Sequence, residues 1–344
     1  MSRFTVIGTF DFKNLSTGGQ PVKTRNLYKL LSEKYGTDEV SFIETYGWKK
    51  HPFRIINAVR CAVKQSENVI MLPAHNGVKI FAPLLLRYAK GTSVKLFYDV
   101  IGGWLPQKTE RDKKLAAQLR RFAGVWVETS SMKSALERQG FSNVSVVPNF
   151  KFITPLTLEE LPPLKKPYRL CTFSRVMEEK GIEDAIKAVT QVNDDFGETV
   201  FTLDIYGPVD ENQTEWFSKL QTAFPQYVHY CGCINSDKSI DVLKTYFALL
   251  FPTFYDGEGF AGTLIDAFSS GVPIIASDWK YNPEIVHENV GIIYPTRDVK
   301  AFVDILKNVA SNPKVIIYKR PYCLKEAIKY SPDGVAETIT KVLN

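Results

Sequence analysis

The stretch from Phe251 to Asp278, FPTFYDGEGFAGTLIDAFSSGVPIIASD, constrains the fold more than any other segment of the chain. Gly257, Gly259 and Gly262 allow backbone conformations and close approaches that a Cβ obstructs. Thr263 opens a helix predicted over Leu264 to Ser270, and Gly271 closes it. Val272 to Ala276 then runs apolar without interruption, the pattern of a parallel strand covered on both faces. Strand and helix patterns alternate in both halves, from Phe4 to Phe10 onward, with no short repeat and no low-complexity tract. For 344 residues of which 44% are apolar, this predicts an α/β chain with two doubly wound, Rossmann-like domains facing each other across a cleft. Residues 151–167, rich in Pro and charge, are the expected linker between a 1–150 domain and a 168–330 domain, and 331–344 is a helix expected to return to the first.

The same stretch carries chemistry. Unpaired N–H groups and a partial positive charge at a helix start near Gly262, Thr263 and Leu264 suit a diphosphate. Glu258 and Asp266 flank that start. Carboxylates repel phosphate, so acids at such a place fit neutral hydroxyls of a sugar or ribose instead. Thr263-x-x-Asp266 has the spacing of a capping box as well, and on spacing alone both readings stand. A second run, RLCTFSRVMEEKGIEDAIKAV from Arg169 to Val189, reads as strand, turn and amphipathic helix. Arg175 follows the apolar run Leu170 to Ser174, where ligands of open α/β sheets bind. Lys180 near the next helix start opposes the helix dipole unless an anion arrives, whereas Glu178 and Glu179 suit it. Two solvated surface cations are the alternative.

With both motifs in view, the chain resembles the retaining glycosyltransferases of the GT-B fold, family 4 (group 1), of the bacterial polysaccharide type. That family carries a Glu, seven residues and a second Glu, then a small-Gly-x-Pro strand. Glu258 matches the first acid and Asp266 stands in place of the second, one methylene shorter. The resemblance implies that Glu258 lies near the donor sugar, Asp266 near the ribose, and Arg175 and Lys180 at the donor diphosphate. It extends through Thr202 to Pro208 and Tyr227 to Ser236, implying that backbone near Ile234 meets the nucleotide base, and ends near Leu306. It further implies sugar transfer with retention from a nucleoside diphosphate sugar, with UDP-sugar the expected donor, to a glycan or lipid-diphosphate-linked acceptor in capsule-like polysaccharide synthesis. No metal and no cofactor beyond the nucleotide sugar are expected, because fixed cations take the role of a divalent ion.

In the first half, Gly18 and Gly19 make a turn ahead of Pro21, a residue suited to the first helical position. This is not the dinucleotide fingerprint G-x-G-x-x-G. The resemblance places Gly18 and Gly19 against the donor phosphates. It also points to the strand end at Tyr98 and Asp99, where many relatives have a His, so Asp99 is expected to hydrogen-bond a sugar hydroxyl. His75 ends the preceding strand, and Trp104 within Gly102 to Pro106 is either a floor for the acceptor or core.

Residues 1–150 hold 23 Lys and Arg against 11 Asp and Glu, whereas 151–344 hold 20 against 26. The basic half is expected to face something anionic, a phosphate-bearing acceptor or a membrane surface. Phe53, Ile56, Val59 and Val63 recur at helical spacing among cations in Lys49 to Gln65, as in interfacial helices and equally in a helix packed on its own core. The second basic stretch, Trp104 to Phe122, mixes in acids and reads as solvated helix. No zinc-finger or RNA-recognition pattern occurs, so nucleic acid is not an expected partner. Five cysteines without paired spacing suggest structural thiols. No apolar run approaches the roughly 18 residues of a membrane span. A cytoplasmic protein is expected, with peripheral contact at the inner face of the plasma membrane as the basic half's role. A sugar-nucleotide epimerase of the same architecture and a non-catalytic nucleotide-sugar-binding protein are the alternatives. The cation and acid spacing disfavours the first; the missing His near Tyr98 and the Asp at position 266 motivate the second.

Overall fold

The computed structural model describes residues 2–12 and 18–343. The chain divides into two compact units. The first comprises Met1–Phe152, Gly259–Ala261 and Pro332–Asn344, and the second Ile153–Glu258 and Gly262–Ser331.

The first unit is built on six strands: β1 (Ser2–Gly8), β2 (Val40–Glu44), β3 (Ser66–Met71), β4 (Lys95–Asp99), β5 (Gly124–Val127) and β6 (Val144–Val146). They pair in the order β2-β1-β3-β4-β5-β6, every pair parallel. β5 is buried at each position and β3 and β4 nearly so, which explains their unbroken apolar runs: helices on both faces leave no polar side. The helix Gly19–Tyr35 buries Leu27, Leu30 and Leu31 in one core with Phe4, Val6 and Trp126. The helix Pro332–Leu343 adds Val335, Ile339 and Leu343 to that core. Lys34 Nζ secures it by donating to Thr340 Oγ1 at 2.5 Å.

The second unit has six parallel strands: β7 (Tyr168–Phe173), β8 (Phe201–Tyr206), β9 (Val228–Gly232), β10 (Ala248–Phe251), β11 (Ile274–Ser277) and β12 (Gly291–Tyr294), in the order β12-β11-β10-β7-β8-β9. The helices Ile182–Phe196 and Val299–Ser311 pack together on one face through Val189, Val192, Phe302 and Leu306. Each unit is thus a parallel-sheet, Rossmann-like α/β fold.

Three local expectations change. The helix predicted over Leu264 to Ser270 runs Gly262–Ser269, which places Thr263 inside its first turn. Pro21 falls two residues inside the helix that starts at Gly19, because Gly18 is the N-cap. The stripe Phe53, Ile56, Val59 and Val63 splits on the helix Pro52–Gln65: Val59 and Val63 are buried, whereas Phe53 is 84% and Ile56 37% exposed.

Candidate active site

In the second sheet the strand order reverses between β7 and β10: the chain moves outward through β8 and β9 on one side and through β11 and β12 on the other. Ligands of open α/β sheets occupy the crevice beyond the carboxyl ends of strands at such a switch point. β7 delivers the loop Ser174–Gly181 there, and β10 delivers Pro252–Glu258.

Two glycines let these loops close up. Gly181 has φ +70°, and a Cβ on it would stand 2.1 Å from the Pro252 carbonyl oxygen. Gly207, after β8, has φ +132°, and its Cβ would stand 1.8 Å from the Ser174 carbonyl oxygen. The Phe254 N–H donates to the Glu179 carbonyl at 2.8 Å and ties the loops after β10 and β7 together. Lys180 Nζ consequently lies 2.5 Å from Glu258 Oε2, and the Thr253 hydroxyl donates to the same oxygen at 2.8 Å. Both side chains of this ion pair are largely buried, at 11% and 8% exposure. The ammonium also lies 4.9 Å from the centroid of the Tyr255 ring, which screens it from water.

Lys180 stands near the start of the following helix, as the sequence predicts, but just outside it. It ends a single 3₁₀ turn, Glu178–Lys180, and Gly181 separates it from the helix Ile182–Phe196. Glu183 and Asp184 occupy that helix's first turn, so the dipole is served without Lys180. Arg175 pairs with Asp210 (Nη1 to Oδ2, 3.2 Å) and is half exposed. The N–H of Asn212 and the Arg175 guanidinium hold the Asp210 carboxyl below its ordinary range.

The helix Gly262–Ser269 begins after the β10 loop. Thr263 Oγ1 is buried and has no hydrogen-bond partner among the described residues. A capping box requires that hydroxyl to accept from the backbone, so the capping reading of Thr263-x-x-Asp266 is overturned. Leu264 and Asp266 are buried on the same helix. Ile234 follows β9, the edge strand, two positions from β7, and is partly buried.

In the first unit the switch point lies between β1 and β3. Gly18 and Gly19 stand at the start of the helix that follows β1, and His75 opens the helix His75–Ala89 that follows β3, the two strands flanking that switch point. A Cβ on Gly19 would meet no described atom within 4 Å, so the described chain does not require glycine there. His75 is exposed, has φ +25°, and stacks on Trp104 with centroids 4.3 Å apart. Trp104 is itself buried and donates its indole N–H to the Ile101 carbonyl at 2.7 Å.

Asp99 requires a correction. Its carboxylate is 1% exposed and lies 2.9 Å from Lys23 Nζ. Lys23 also contacts Glu128 Oε1 at 3.0 Å and donates to the Val100 carbonyl at 2.7 Å. Glu128 Oε2 accepts the Phe260 N–H at 2.8 Å. One ammonium faces two carboxylates in a dry interior. Burial, with Glu128 adding repulsion, lifts Asp99 to about 6 despite its partner Lys23. Burial disfavours the charged Lys23, and the two acids more than reverse this, leaving its pKa raised. A sealed carboxylate offers no hydrogen bond to a sugar, so the geometry does not supply the expected contact. Thr253, Asp210, Lys23 and Glu128 all escaped the sequence reading, because their partners lie 5, 35, 77 and 105 residues away.

The described residues contain no group of three or more His, Cys, Asp or Glu placed to hold a metal ion. None of their helices is long and apolar enough to cross a membrane.

Residues 167–312 match the family described as "Glycosyl transferases group 1". The GtfA subunit of a UDP-N-acetylglucosamine–peptide N-acetylglucosaminyltransferase from Streptococcus gordonii is 31% identical over 160 residues, 45% of this chain and 30% of that one. The chain thus spans about a third of that relative's length. Among solved structures, sucrose-phosphate synthase from Thermosynechococcus elongatus superposes with a TM-score of 0.78 at 13% identity, covering 100% of this chain and 98% of the other. Anabaena HepE in complex with UDP and glucose gives a TM-score of 0.75 at 11% identity, covering 100% and 99%. These structures share the fold, and the match to the group 1 glycosyltransferase family lies almost entirely within the second unit.

Proposed function

We propose that the protein is a retaining glycosyltransferase of family 4 that moves a sugar from a nucleoside diphosphate sugar, a UDP-sugar, to an acceptor hydroxyl. The observation that carries this reading is the ion pair of Lys180 and Glu258 at the switch point between β7 and β10, beside a β7 loop that also presents Arg175. Cations there suit a diphosphate, and a carboxylate beside them suits the hydroxyls of the attached sugar. In the reaction the bond from the anomeric carbon to the diphosphate oxygen breaks and a bond to the acceptor oxygen forms on the same face. The acceptor's proton passes to the departing phosphate. Negative charge growing on that phosphate is stabilised by Lys180, Arg175 and the N–H groups of the helix Gly262–Ser269, whose Thr263 hydroxyl is unpaired among the described residues. Asp266 on that helix is assigned to the ribose, Ile234 to the base, and Gly18 and Gly19 to the donor phosphates. No divalent metal takes part in this proposal.

For the acceptor we propose a glycan or a lipid-diphosphate-linked glycan of cell-surface polysaccharide, reached at the membrane's cytoplasmic face. Support comes from the excess of cations in residues 1–150 and from exposed Phe53, which stands among Lys49, Lys50, Arg54, Arg60 and Lys64. The relative from Streptococcus gordonii is named for transfer to a peptide, so a peptide acceptor belongs in the same assay.

Thermal-shift titration with UDP, GDP, ADP and CDP, in EDTA, tests the donor site, since a ligand that binds only the folded state raises the melting temperature. A shift selective for UDP and lost in Lys180→Ala is the expected result. No shift with any nucleotide overturns the reading. Glu258→Gln is expected to retain UDP affinity and lose transfer. Co-sedimentation with phosphatidylglycerol vesicles, weakened by Phe53→Ser and absent with phosphatidylcholine, tests the membrane contact.

A further inference from the structure

The Lys180–Glu258 pair raises a physical question about the donor-bound state. Among the described residues both polar contacts of the Glu258 carboxylate, from Lys180 Nζ and from Thr253 Oγ1, fall on Oε2, leaving Oε1 for a ligand. When a diphosphate enters, Lys180 has a second and more highly charged anion to serve, and its hold on Glu258 weakens. Something else must then keep the carboxylate in place, because an ionised acid that swings away no longer meets a sugar hydroxyl.

We propose that Thr253 is a positioning residue that holds Glu258 for the donor sugar once Lys180 turns to the diphosphate; this rests on the donor-site reading above. The Thr253 hydroxyl has one proton and two neighbouring acceptors, Glu258 Oε2 at 2.8 Å and the Glu179 carbonyl at 3.3 Å. The shorter bond to an ionised oxygen is the stronger one. Thr253 itself has little freedom. It is 1% exposed, its Oγ1 accepts the Tyr255 N–H at 3.2 Å, and its carbonyl accepts the Ser277 hydroxyl at 2.6 Å. Tyr255 in turn accepts the Glu258 N–H at 3.0 Å, so the hydroxyl grips both ends of the turn that carries the acid. Neither phosphate nor sugar competes for this neutral donor's position, since it is buried beneath the carboxylate.

The test compares Thr253→Val, which keeps shape and removes the hydroxyl, with Thr253→Ser, which keeps the hydroxyl. UDP affinity is read by calorimetry, and turnover is read with the UDP-sugar that the unmodified protein consumes. Thr253→Val is expected to lower kcat about tenfold or more while UDP affinity and donor KM stay within about threefold, and Thr253→Ser to remain within about threefold in all three. Unchanged kcat in Thr253→Val overturns the proposal. So does a parallel loss of kcat and UDP affinity, which means collapse of the loop, or a Thr253→Ser variant as impaired as Thr253→Val, which means that methyl packing matters. Should Thr253→Val misfold, Thr253→Ala supplies the same comparison. Failure of the unmodified protein to bind UDP rejects the donor site itself, a different result from any of these.

Discussion

Each unit buries a lysine against carboxylates, and the two clusters differ in what surrounds them. In the first, Lys23 is 2% exposed and its partners Asp99 and Glu128 are 1% and 3% exposed. Backbone groups of Val100 and Phe260 complete the set. In the second, Lys180 and Glu258 stand at a switch-point loop, tied by short loop contacts and partly open at 11% and 8% exposure. The first cluster has no face left for a ligand, so its charges serve the fold. The second keeps an unshared carboxylate oxygen and an ammonium whose partner a stronger anion can replace. Identical residue types thus divide into structure and chemistry by where the strands end and by what closes over them.

The largest expected effect separates the clusters by stability. Lys23→Met strands two carboxylates in a dry interior and is expected to cost about 3–5 kcal/mol in urea unfolding. Lys180→Ala leaves one carboxylate, still hydrogen-bonded by Thr253, and should cost clearly less; comparable destabilisation by both would erase the distinction. Next comes proton linkage. The folded-state pKa of Asp99 is raised to about 6, so its contribution to stability is fully present below its unfolded value and is lost as pH rises through 6. Relative to Asp99→Asn, the unmodified protein is therefore expected to lose up to about 3 kcal/mol between pH 4 and pH 7, and nothing further above that. A flat difference across this window contradicts the sealed-cluster account.

Smaller effects belong to the second cluster and are read in ligand affinity. Lys180→Ala is expected to weaken UDP binding about 10- to 100-fold, the value of a charged hydrogen bond. Arg175 is half exposed and already shared with Asp210, so solvent screening leaves it less to contribute. Arg175→Ala should weaken UDP by roughly two- to fivefold. A larger loss for Arg175 than for Lys180 would reverse the roles assigned to the β7 loop.

Much of this was legible along the chain. Continuous apolar runs such as Val272 to Ala276 identify covered parallel strands, because a side chain on either face then meets a helix. Arg175 stands directly after an apolar run, Lys180 and Glu258 lie in the loops that follow β7 and β10, and the structure brings Lys180 and Glu258 to 2.5 Å. Element ends were less legible: Thr263 looks like a cap by spacing, yet the helix starts one residue earlier at Gly262. Asp99 was misread because a strand end looks the same whether its side chain turns toward solvent or toward a lysine from a distant helix.

Local pattern, which depends on neighbours within a few residues, was enough to specify two α/β units, their strands and the loops that carry charge. Pairing across long stretches of chain was not. The contacts of Lys23 with Asp99 and Glu128, of Lys180 with Glu258, and of Gly181 with Pro252 depend on which strands lie side by side. Strand order is set by packing free energy summed over the whole sheet, and no single segment encodes it. Burial, and with it the choice between a sealed ion cluster and an open one, follows from that order.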